Sequence, residues 1–82
     1  MYKVYVLKSC KITRYYVGVT GDLDGRLIAH NRGSTKSTKP YRPWIVIYTE
    51  SYQDIKDAYK REWHLKHPRG FVEKREIIKK FG

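Results

Sequence analysis

Two stretches close to the amino terminus, Tyr2–Ser9 (YKVYVLKS) and Tyr15–Thr20 (YYVGVT), decide the fold. Both are rich in Val and Tyr, residue types that are typical of β-strands. The connection between them, residues 10–14, is too short for the crossover that a parallel pair of strands needs. The sequence therefore predicts an antiparallel β-hairpin at the start of the chain.

A helix and a third strand are predicted after the hairpin. The polar cluster at 20–22 is suited to capping a helix that runs to about Asn31, and Gly33 follows as a stop signal. The apolar stripe of this helix is expected to consist of Leu23, Leu27 and Ile28. A basic loop, 32–43, then leads to Trp44–Thr49, which is apolar enough to form a strand buried on both faces.

Two further helices complete the chain. Ser51–Asp54 resembles a capping box, which predicts a second helix that runs to about His67 and ends before Pro68. The third helix is predicted over Phe71–Phe81. The residues expected to face inward are Ile55, Ala58, Tyr59 and Leu65 on the second helix, and Phe71, Ile77, Ile78 and Phe81 on the third.

The resulting order, β-β-α-β-α-α, predicts an α+β fold in which a small three-stranded antiparallel sheet is flanked by helices. A chain of 82 residues has room for one such unit, so residues 1–82 are expected to form a single domain. Eight Tyr, two Trp and two Phe supply the apolar area that a core of this size needs.

The charge balance is strongly basic, because 18 Lys and Arg residues against 8 Asp and Glu give a net charge of +10. Binding to phosphates relieves the self-repulsion of such a surface and releases counterions. The composition therefore favours nucleic acid as the partner over a charge that serves solubility alone. An anionic membrane surface is disfavoured, since no segment carries a wide apolar helical face.

The cysteine content and the amino terminus bear on the location of the protein. A single cysteine, Cys10, excludes an intramolecular disulfide and a zinc site built on a cysteine pair. The first apolar run is too short and too interrupted for a secretory signal, and no stretch approaches the ~20 apolar residues of a membrane span. A reducing, cytoplasmic location is expected.

One carboxylate stands in an unexpected place on the second predicted helix. Counting i, i+3, i+7 and i+10 from Ile55 leads through Ala58 and Leu65 but also through Glu62. A carboxylate on the inward stripe is costly to desolvate, so it needs a cationic partner, a proton or a metal. Helical spacing alone favours an ion pair with a nearby Arg or Lys at the edge of the core, and a metal site is the alternative.

The first predicted helix carries a complementary pair, Arg26 and His30, which stand four residues apart and share one face. Asp22 lies one turn earlier and is a candidate ion-pair partner of Arg26. His30 taken alone is compatible with an ordinary hydrogen-bonded or surface histidine. Arg26 and Glu62 would lie on two helices that pack on one sheet, which suits either a structural ion pair or a site for phosphate and metal.

A series of short motifs, taken in their order and spacing, carries a family resemblance. The motifs are Val4-Tyr5-Val6-Leu7, Tyr16-Val17-Gly18-Val19-Thr20, Asp22–Leu27, His30-Asn31, Pro43-Trp44 and Ala58–Glu62. Together they resemble the GIY-YIG nuclease domain, in particular its small single-domain bacterial members, over nearly the whole chain. The first motif lacks its Gly-Ile, and Val17 replaces the Ile of the second. Some members use an Asn near the end of the domain, and Asn31, the only Asn here, does not match that position.

The resemblance implies a DNA endonuclease that hydrolyses phosphodiester bonds with one divalent metal, Mg²⁺ or Mn²⁺. Glu62 would be the metal ligand, since Mg²⁺ prefers a carboxylate together with waters and substrate oxygens. Arg26 would grip two oxygens of the scissile phosphate with its planar fork. Tyr16, or His30 nearby, would take the proton of the attacking water, and Tyr5 would orient that water.

The resemblance also implies roles for surface residues. Contacts that position phosphates, without reading sequence, are expected from Lys36, Lys39, Arg42, Lys74, Arg75, Lys79 and Lys80. Three aromatic side chains, Tyr41, Tyr52 and Trp63, are candidates for stacking on unpaired bases or for covering a thin core. His64 and His67 lack a third metal ligand and are expected to be surface residues.

Three functions stay open. The first is a structure-directed or weakly specific DNA endonuclease, with DNA repair as a setting for it. The second is a nucleic-acid-binding module of the same fold that has little or no turnover, and the third is an adaptor that meets an acidic protein. The expected residue types at Tyr5, Tyr16, Arg26 and Glu62 favour the enzyme. The small size favours the module, or an enzyme that takes its specificity from a protein partner.

Overall fold

Three antiparallel strands form one sheet: β1 (Tyr2–Ser9), β2 (Tyr15–Thr20) and β3 (Trp44–Tyr52), in the order β2-β1-β3. The structure is a computed structural model that describes every residue from 1 to 82. Three helices accompany the sheet: α1 (Leu23–Arg32), α2 (Ile55–Lys66) and α3 (Phe71–Phe81). The predicted α+β fold, with its β-β-α-β-α-α order, is confirmed.

The central strand β1 carries core residues on both of its faces, because successive side chains of a strand point in opposite directions. Val6 belongs to one buried cluster with Ala58 of α2. Its neighbour Leu7 belongs to a second cluster, against which Leu27 of α1 packs. The helices α1 and α2 therefore lie on opposite faces of the sheet.

The prediction that the third strand is buried on both faces is wrong. β3 lies at the edge of the sheet, runs on to Tyr52, and leaves Ile45 exposed. The central place belongs to β1, whose Tyr5 faces Gly18 on one side and Thr49 on the other. An apolar run suggests burial, but the neighbours that a strand acquires on each side decide it.

The N-terminal cap predicted for α1 is confirmed, whereas the one predicted for α2 is not. Asp22 caps α1 by accepting a hydrogen bond from the backbone N–H of Gly25 (3.1 Å), and Gly33 ends the helix with a φ of 87°. The capping box predicted to begin at Ser51 is wrong. The cap of α2 is Asp54, which accepts from the N–H of Lys56, whereas Ser51 lies in β3 and accepts from the ammonium group of Lys3.

The apolar stripes predicted for the helices are only partly correct. The buried positions include Ala58 and Leu65 on α2 and Ile77 on α3. Five residues predicted to face inward are exposed, namely Ile28, Ile55, Tyr59, Phe71 and Phe81. A three-stranded sheet offers each helix a narrow surface, so only the central positions of each stripe are covered. None of the helices has the length and apolar character needed to cross a membrane.

Candidate active site

Two tyrosines and one arginine meet at the β2 side of the sheet. Tyr5 of β1 and Tyr16 of β2 have ring centroids 6.3 Å apart. Arg26 of α1 lies beside these tyrosines, close enough for their hydroxyls to raise the pKa of its guanidinium. The structure thus brings together three of the residues that the sequence singled out, two from the hairpin and one from the first helix.

Gly18 makes room for the Tyr5 ring. The two residues are directly opposite each other in the β1–β2 register. A Cβ atom at position 18 would lie 2.5 Å from the Tyr5 hydroxyl oxygen and 2.6 Å from Tyr5 Cζ. Non-bonded heavy atoms pack at about 3.5–4.0 Å, so any side chain here would collide with the ring. The glycine of the second motif is therefore required by the space that Tyr5 occupies.

Substitution of Gly18 by alanine is expected to push the Tyr5 ring out of its position. Overpacking of this kind costs typically about 1–3 kcal/mol of stability. Urea denaturation of the variant checks the stability, and a nuclease assay checks the accompanying loss of activity. Gly21→Ala is the matched control, since a Cβ there would meet only Tyr2 carbons at an ordinary 3.7 Å. Equal stability of the two variants would contradict this account of Gly18.

His30 lies fully buried behind the two tyrosines, and both of its ring nitrogens have partners. Its Nε2 lies 3.0 Å from the Tyr5 hydroxyl, and its Nδ1 lies 2.9 Å from Oγ1 of Thr38. The Tyr16 ring packs edge-on against the imidazole, with centroids 4.9 Å apart. The interpretation of His30 as a surface histidine is wrong, whereas the hydrogen-bonded alternative is confirmed.

The direction of each hydrogen bond follows from the partner of Thr38. The Thr38 hydroxyl donates to the carbonyl of Thr35 (3.2 Å), so its oxygen is left to accept from Nδ1–H of His30. Burial and the positive charge of Arg26 lower the pKa of His30, which keeps the imidazole neutral. Its unprotonated Nε2 therefore accepts the hydrogen bond that the Tyr5 hydroxyl donates.

Acid is expected to destabilise the protein through His30 before its carboxylates titrate. Below the ordinary histidine pKa of about 6.5 the unfolded chain binds a proton that the buried imidazole resists, because its own pKa is lower. The free energy of unfolding should thus fall as the pH drops below that value, by at most about 1.4 kcal/mol per pH unit. Urea denaturation between about pH 5 and 7 measures the slope. His30→Gln should abolish it, whereas His67→Gln should retain it; a slope that survives in His30→Gln contradicts the assignment.

Arg26 differs from the sequence expectation in its partner. The proposed ion pair with Asp22 is absent, because Asp22 caps α1 instead. The neighbouring Tyr5 hydroxyl raises the pKa of the Arg26 guanidinium further. Burial raises the pKa of Tyr5, and the interaction with Arg26 offsets only part of that increase. Arg26 therefore carries a permanent positive charge that no carboxylate neutralises.

Glu62 approaches the same side of the sheet from α2. Its carboxylate pairs with Lys66, one turn later on the helix, at 3.4 Å. The Lys66 ammonium group in turn lies 5.3 Å from the centre of the Tyr16 ring, and the charge of Glu62 acts on Tyr5. Since α1 and α2 lie on opposite faces, these residues meet around the edge formed by β2. The ion-pair interpretation of Glu62 is therefore borne out, with Lys66 rather than Arg26 as the partner.

The donor set at Glu62 is compatible with a Mg²⁺ or Mn²⁺ ion. No group of three His, Cys, Asp or Glu side chains is arranged to hold a metal. At this position Glu62 would therefore be the carboxylate ligand that the protein supplies. Mg²⁺ is commonly held by one or two carboxylates, with waters and phosphate oxygens as the other ligands. The Glu62 side chain keeps 22% of its surface exposed, so a hydrated ion can reach it.

The basic residues predicted to contact phosphates fall into two groups. Lys36, Lys39 and Arg42 belong to the loop after α1, which is anchored through Thr38 to His30. Arg42 differs from the lysines because its guanidinium donates to the carbonyls of Lys39 and Arg32. The second group lies on α3, which packs against β3 and α2, towards the edge of the sheet remote from β2. This group consists of Lys74, Arg75, Lys79 and Lys80.

The three candidate stacking residues have different environments. Tyr52 is half-buried and donates a hydrogen bond to Glu50, so it is not free to stack. Tyr41 lies under the guanidinium of Arg14, at 4.1 Å from the ring centre. Trp63 is exposed on α2.

An ion network that no sequence pattern predicted lies on the other face of the sheet. Glu50 accepts two hydrogen bonds from Arg61 and one each from Tyr48 and Tyr52. Arg61 also pairs with Glu73 of α3. Burial alone would raise the pKa of Glu50, but the hydrogen bonds from Arg61 and the tyrosines outweigh it and lower that pKa. Burial and the neighbouring carboxylate raise the pKa of Tyr52 to about 12.

Comparison with known proteins identifies the class. Residues 1–76 match the family model described as the GIY-YIG catalytic domain. The chain therefore belongs to the GIY-YIG family, whose nucleases act on nucleic acids.

The similar proteins include bacterial relatives called UPF0213 proteins. The chain is 36% identical over 64 residues to one from Staphylococcus haemolyticus, and 39% identical over 64 residues to one from Staphylococcus aureus. Each match covers 77% of this chain and 77% of the relative. The solution NMR structure of a UPF0213 protein from Bacillus halodurans has a TM-score of 0.58 and 28% identity, and the match covers 99% of this chain and 86% of that one.

Proposed function

We propose that this protein is a metal-dependent endonuclease that hydrolyses phosphodiester bonds of DNA and selects its substrate by structure more than by base sequence. The observation that carries the proposal is the position of Arg26, a cation without a carboxylate partner, beside the hydroxyls of Tyr5 and Tyr16. Glu62 lies close enough for its charge to act on Tyr5. The substrates in this proposal are flaps or branches of DNA repair intermediates.

Arg26 binds the scissile phosphate in this proposal. A guanidinium donates two parallel hydrogen bonds to phosphate oxygens, and these strengthen as the phosphate gains negative charge in the transition state. The Lys66 ammonium group, which also lies near Tyr16, adds a second positive charge at this position. The exposed lysines of the loop after α1, Lys36 and Lys39, hold the flanking phosphates.

Tyr16 is the residue we assign as the acceptor of the proton from the attacking water. It is partly exposed, whereas Tyr5 and His30 are almost completely buried and do not reach solvent. Tyr5 instead donates a hydrogen bond to His30, and His30 in turn donates a hydrogen bond to Thr38. Tyr5, His30 and Thr38 are thus positioning residues that fix the pocket in which Arg26 and Tyr16 act.

Glu62 would hold the divalent ion. When bound there, Mg²⁺ or Mn²⁺ supplies Lewis-acid stabilisation of charge on the phosphate oxygens. The carboxylate of Glu62 is kept in place by the turn of α2 and by its ion pair with Lys66. In the presence of substrate, Lys66 would turn towards a phosphate, since its side chain is 42% exposed.

The second candidate function is nucleic-acid binding without turnover. The Lys66–Glu62 ion pair favours it, since an ammonium group already neutralises the carboxylate that a metal would use. A protein partner that supplies specificity is compatible with either function.

A cleavage assay separates these functions. Purified protein is incubated with supercoiled plasmid, blunt duplex and flapped DNA, in Mg²⁺, in Mn²⁺ and in EDTA. The endonuclease predicts nicking that requires a metal, with the flapped DNA cut faster than the duplex. Salt-dependent binding without cleavage would support the nucleic-acid-binding module. If the protein binds no DNA even at low salt, an adaptor for an acidic protein is the remaining function.

A further inference from the structure

The outer face of α2 carries two large aromatic side chains that the proposed chemistry does not use. Tyr59 and Trp63 stand four residues apart, so they are neighbours on one side of the helix. They are 52% and 53% exposed, respectively. With Lys56 and Lys60 they line an open groove with a volume of about 510 Å³. These four residues are called the α2 groove below.

The Trp63 ring is held by one neighbour and open on its other face. The His67 imidazole stacks on it with centroids 3.8 Å apart and ring planes 20° from parallel. His67 is itself fixed, because its Nδ1 donates to the carbonyl of Trp63 (2.6 Å). A supported aromatic ring with a solvent-exposed face loses little conformational freedom when a base stacks on it.

The charges of the α2 groove suit a polyanion. Lys56 and Lys60 are also four residues apart, and like charges at this spacing repel each other. A bound phosphate chain would relieve that repulsion, whereas a second copy of this chain would bring another net charge of +10 to the same face. No carboxylate lines the groove.

The groove also borders the proposed metal ligand. With about 100° per residue, Tyr59 lies about 60° around the helix from Glu62, and Lys66 lies between them. Lys66 is three residues from Trp63 and seven from Tyr59, so a strand that leaves the pocket of Tyr16 past Lys66 would reach Trp63 first and then Tyr59.

From this arrangement we infer that the α2 groove binds unpaired bases of a single-stranded nucleic-acid segment, which stack on Tyr59 and Trp63. The inference rests on the proposed function for the identity of the ligand as nucleic acid, and it names the substrate class as DNA with a single-stranded arm next to the cleaved bond. Lys56 and Lys60 hold the backbone of that arm.

Binding measured in EDTA tests the inference without any cleavage. Wild-type protein is titrated with oligothymidylate, and tryptophan emission and affinity are recorded at several salt concentrations. Quenching of Trp63 is expected, with the buried Trp44 as a constant background. Trp63→Ala and Tyr59→Ala should each weaken binding about tenfold with the salt slope unchanged, because stacking releases no counterions. Lys60→Ala should instead lower the salt slope by about one.

Phe71→Ala is the matched control, since Phe71 is a comparably exposed aromatic residue on α3. It should bind like the wild type, and Trp63→Phe should retain most of the affinity because it keeps a ring. Equal binding by Trp63→Ala and Phe71→Ala overturns the inference even if the plasmid is still cut. Stacking without any cleavage would instead support base binding by the α2 groove and contradict the proposed endonuclease activity. Sedimentation measures the oligomeric state. If the wild type is a dimer and Trp63→Ala dissociates it, the α2 groove binds a second copy of the chain, which also overturns the inference.

Discussion

Replacement of Arg26 by alanine is expected to lower the rate of DNA cleavage by about 100- to 1,000-fold, the range seen when one preorganised donor to a transition-state charge is removed. Arg26 lies close to the hydroxyls of Tyr5 and Tyr16 and forms no ion pair with a carboxylate. In the proposed function it is therefore the basic residue that acts on the scissile phosphate. The DNA affinity should change little, since many other basic residues contribute to it. Single-turnover cleavage and equilibrium binding are measured side by side.

Arg69→Ala is the control for charge, because Arg69 is exposed and its loss changes the net charge equally. It should cut at a rate close to that of the wild type. Arg26→Lys should recover only part of the rate, as an ammonium group keeps the charge but not the planar fork. If Arg26→Ala and Arg69→Ala cut alike, Arg26 has no role at the reacting phosphate.

Removal of Arg61 is expected to be strongly destabilising, although this residue has no part in the proposed chemistry. Arg61 makes two hydrogen bonds to Glu50, and the side chains of the two residues are only 21% and 16% exposed. Arg61→Ala would leave the Glu50 carboxylate largely buried and without its cation. Breaking such a pair costs about 3 kcal/mol. Native domains have about 0.05–0.15 kcal/mol of stability per residue, so this loss is a large share of the total for so short a chain.

Urea denaturation measures the effect, with Lys60→Ala as the control on the exposed side of α2. That control should change the free energy of unfolding by no more than about 0.5 kcal/mol. Adding Glu50→Gln to Arg61→Ala should restore part of the loss, because it removes the unpaired charge. A double variant as unstable as the sum of its parts would show that Glu50 and Arg61 do not act as a pair.

Local signals in the sequence were sufficient for the elements of the fold and for one end of the site. The hairpin follows from two β-rich stretches with a short connection, and the α1 cap follows from Asp22. Tyr5 and Tyr16 were singled out by the resemblance to the GIY-YIG domain, and Arg26 also by its helical spacing to His30. Residues that are close in sequence carry their mutual geometry in their spacing.

The remainder depends on packing between distant segments. The burial of His30 required Thr38, a loop residue whose hydroxyl gives no signal of its own in the sequence. The carboxylate of Glu62 was noticed through its helical spacing, but its partner Lys66 was not. The network of Glu50, Arg61 and Glu73 joins β3, α2 and α3, so no single pattern contains it.

The edge position of β3 in the sheet also depends on contacts between distant segments of the chain. Its apolar run, 45–47, reads like that of a central strand. The sheet order places β1 in the centre because both other strands pair with it, and sequence composition does not encode that order.

The central claim is that the residues around β2 form one metal-dependent nuclease site. It is tested most directly by nicking of supercoiled plasmid in Mg²⁺ by the wild type, by Glu62→Gln and by Glu76→Gln, an exposed carboxylate on α3. The account predicts EDTA-sensitive nicking by the wild type and by Glu76→Gln, with a loss of at least about 100-fold in Glu62→Gln. Nicking by Glu62→Gln at the wild-type rate would contradict it.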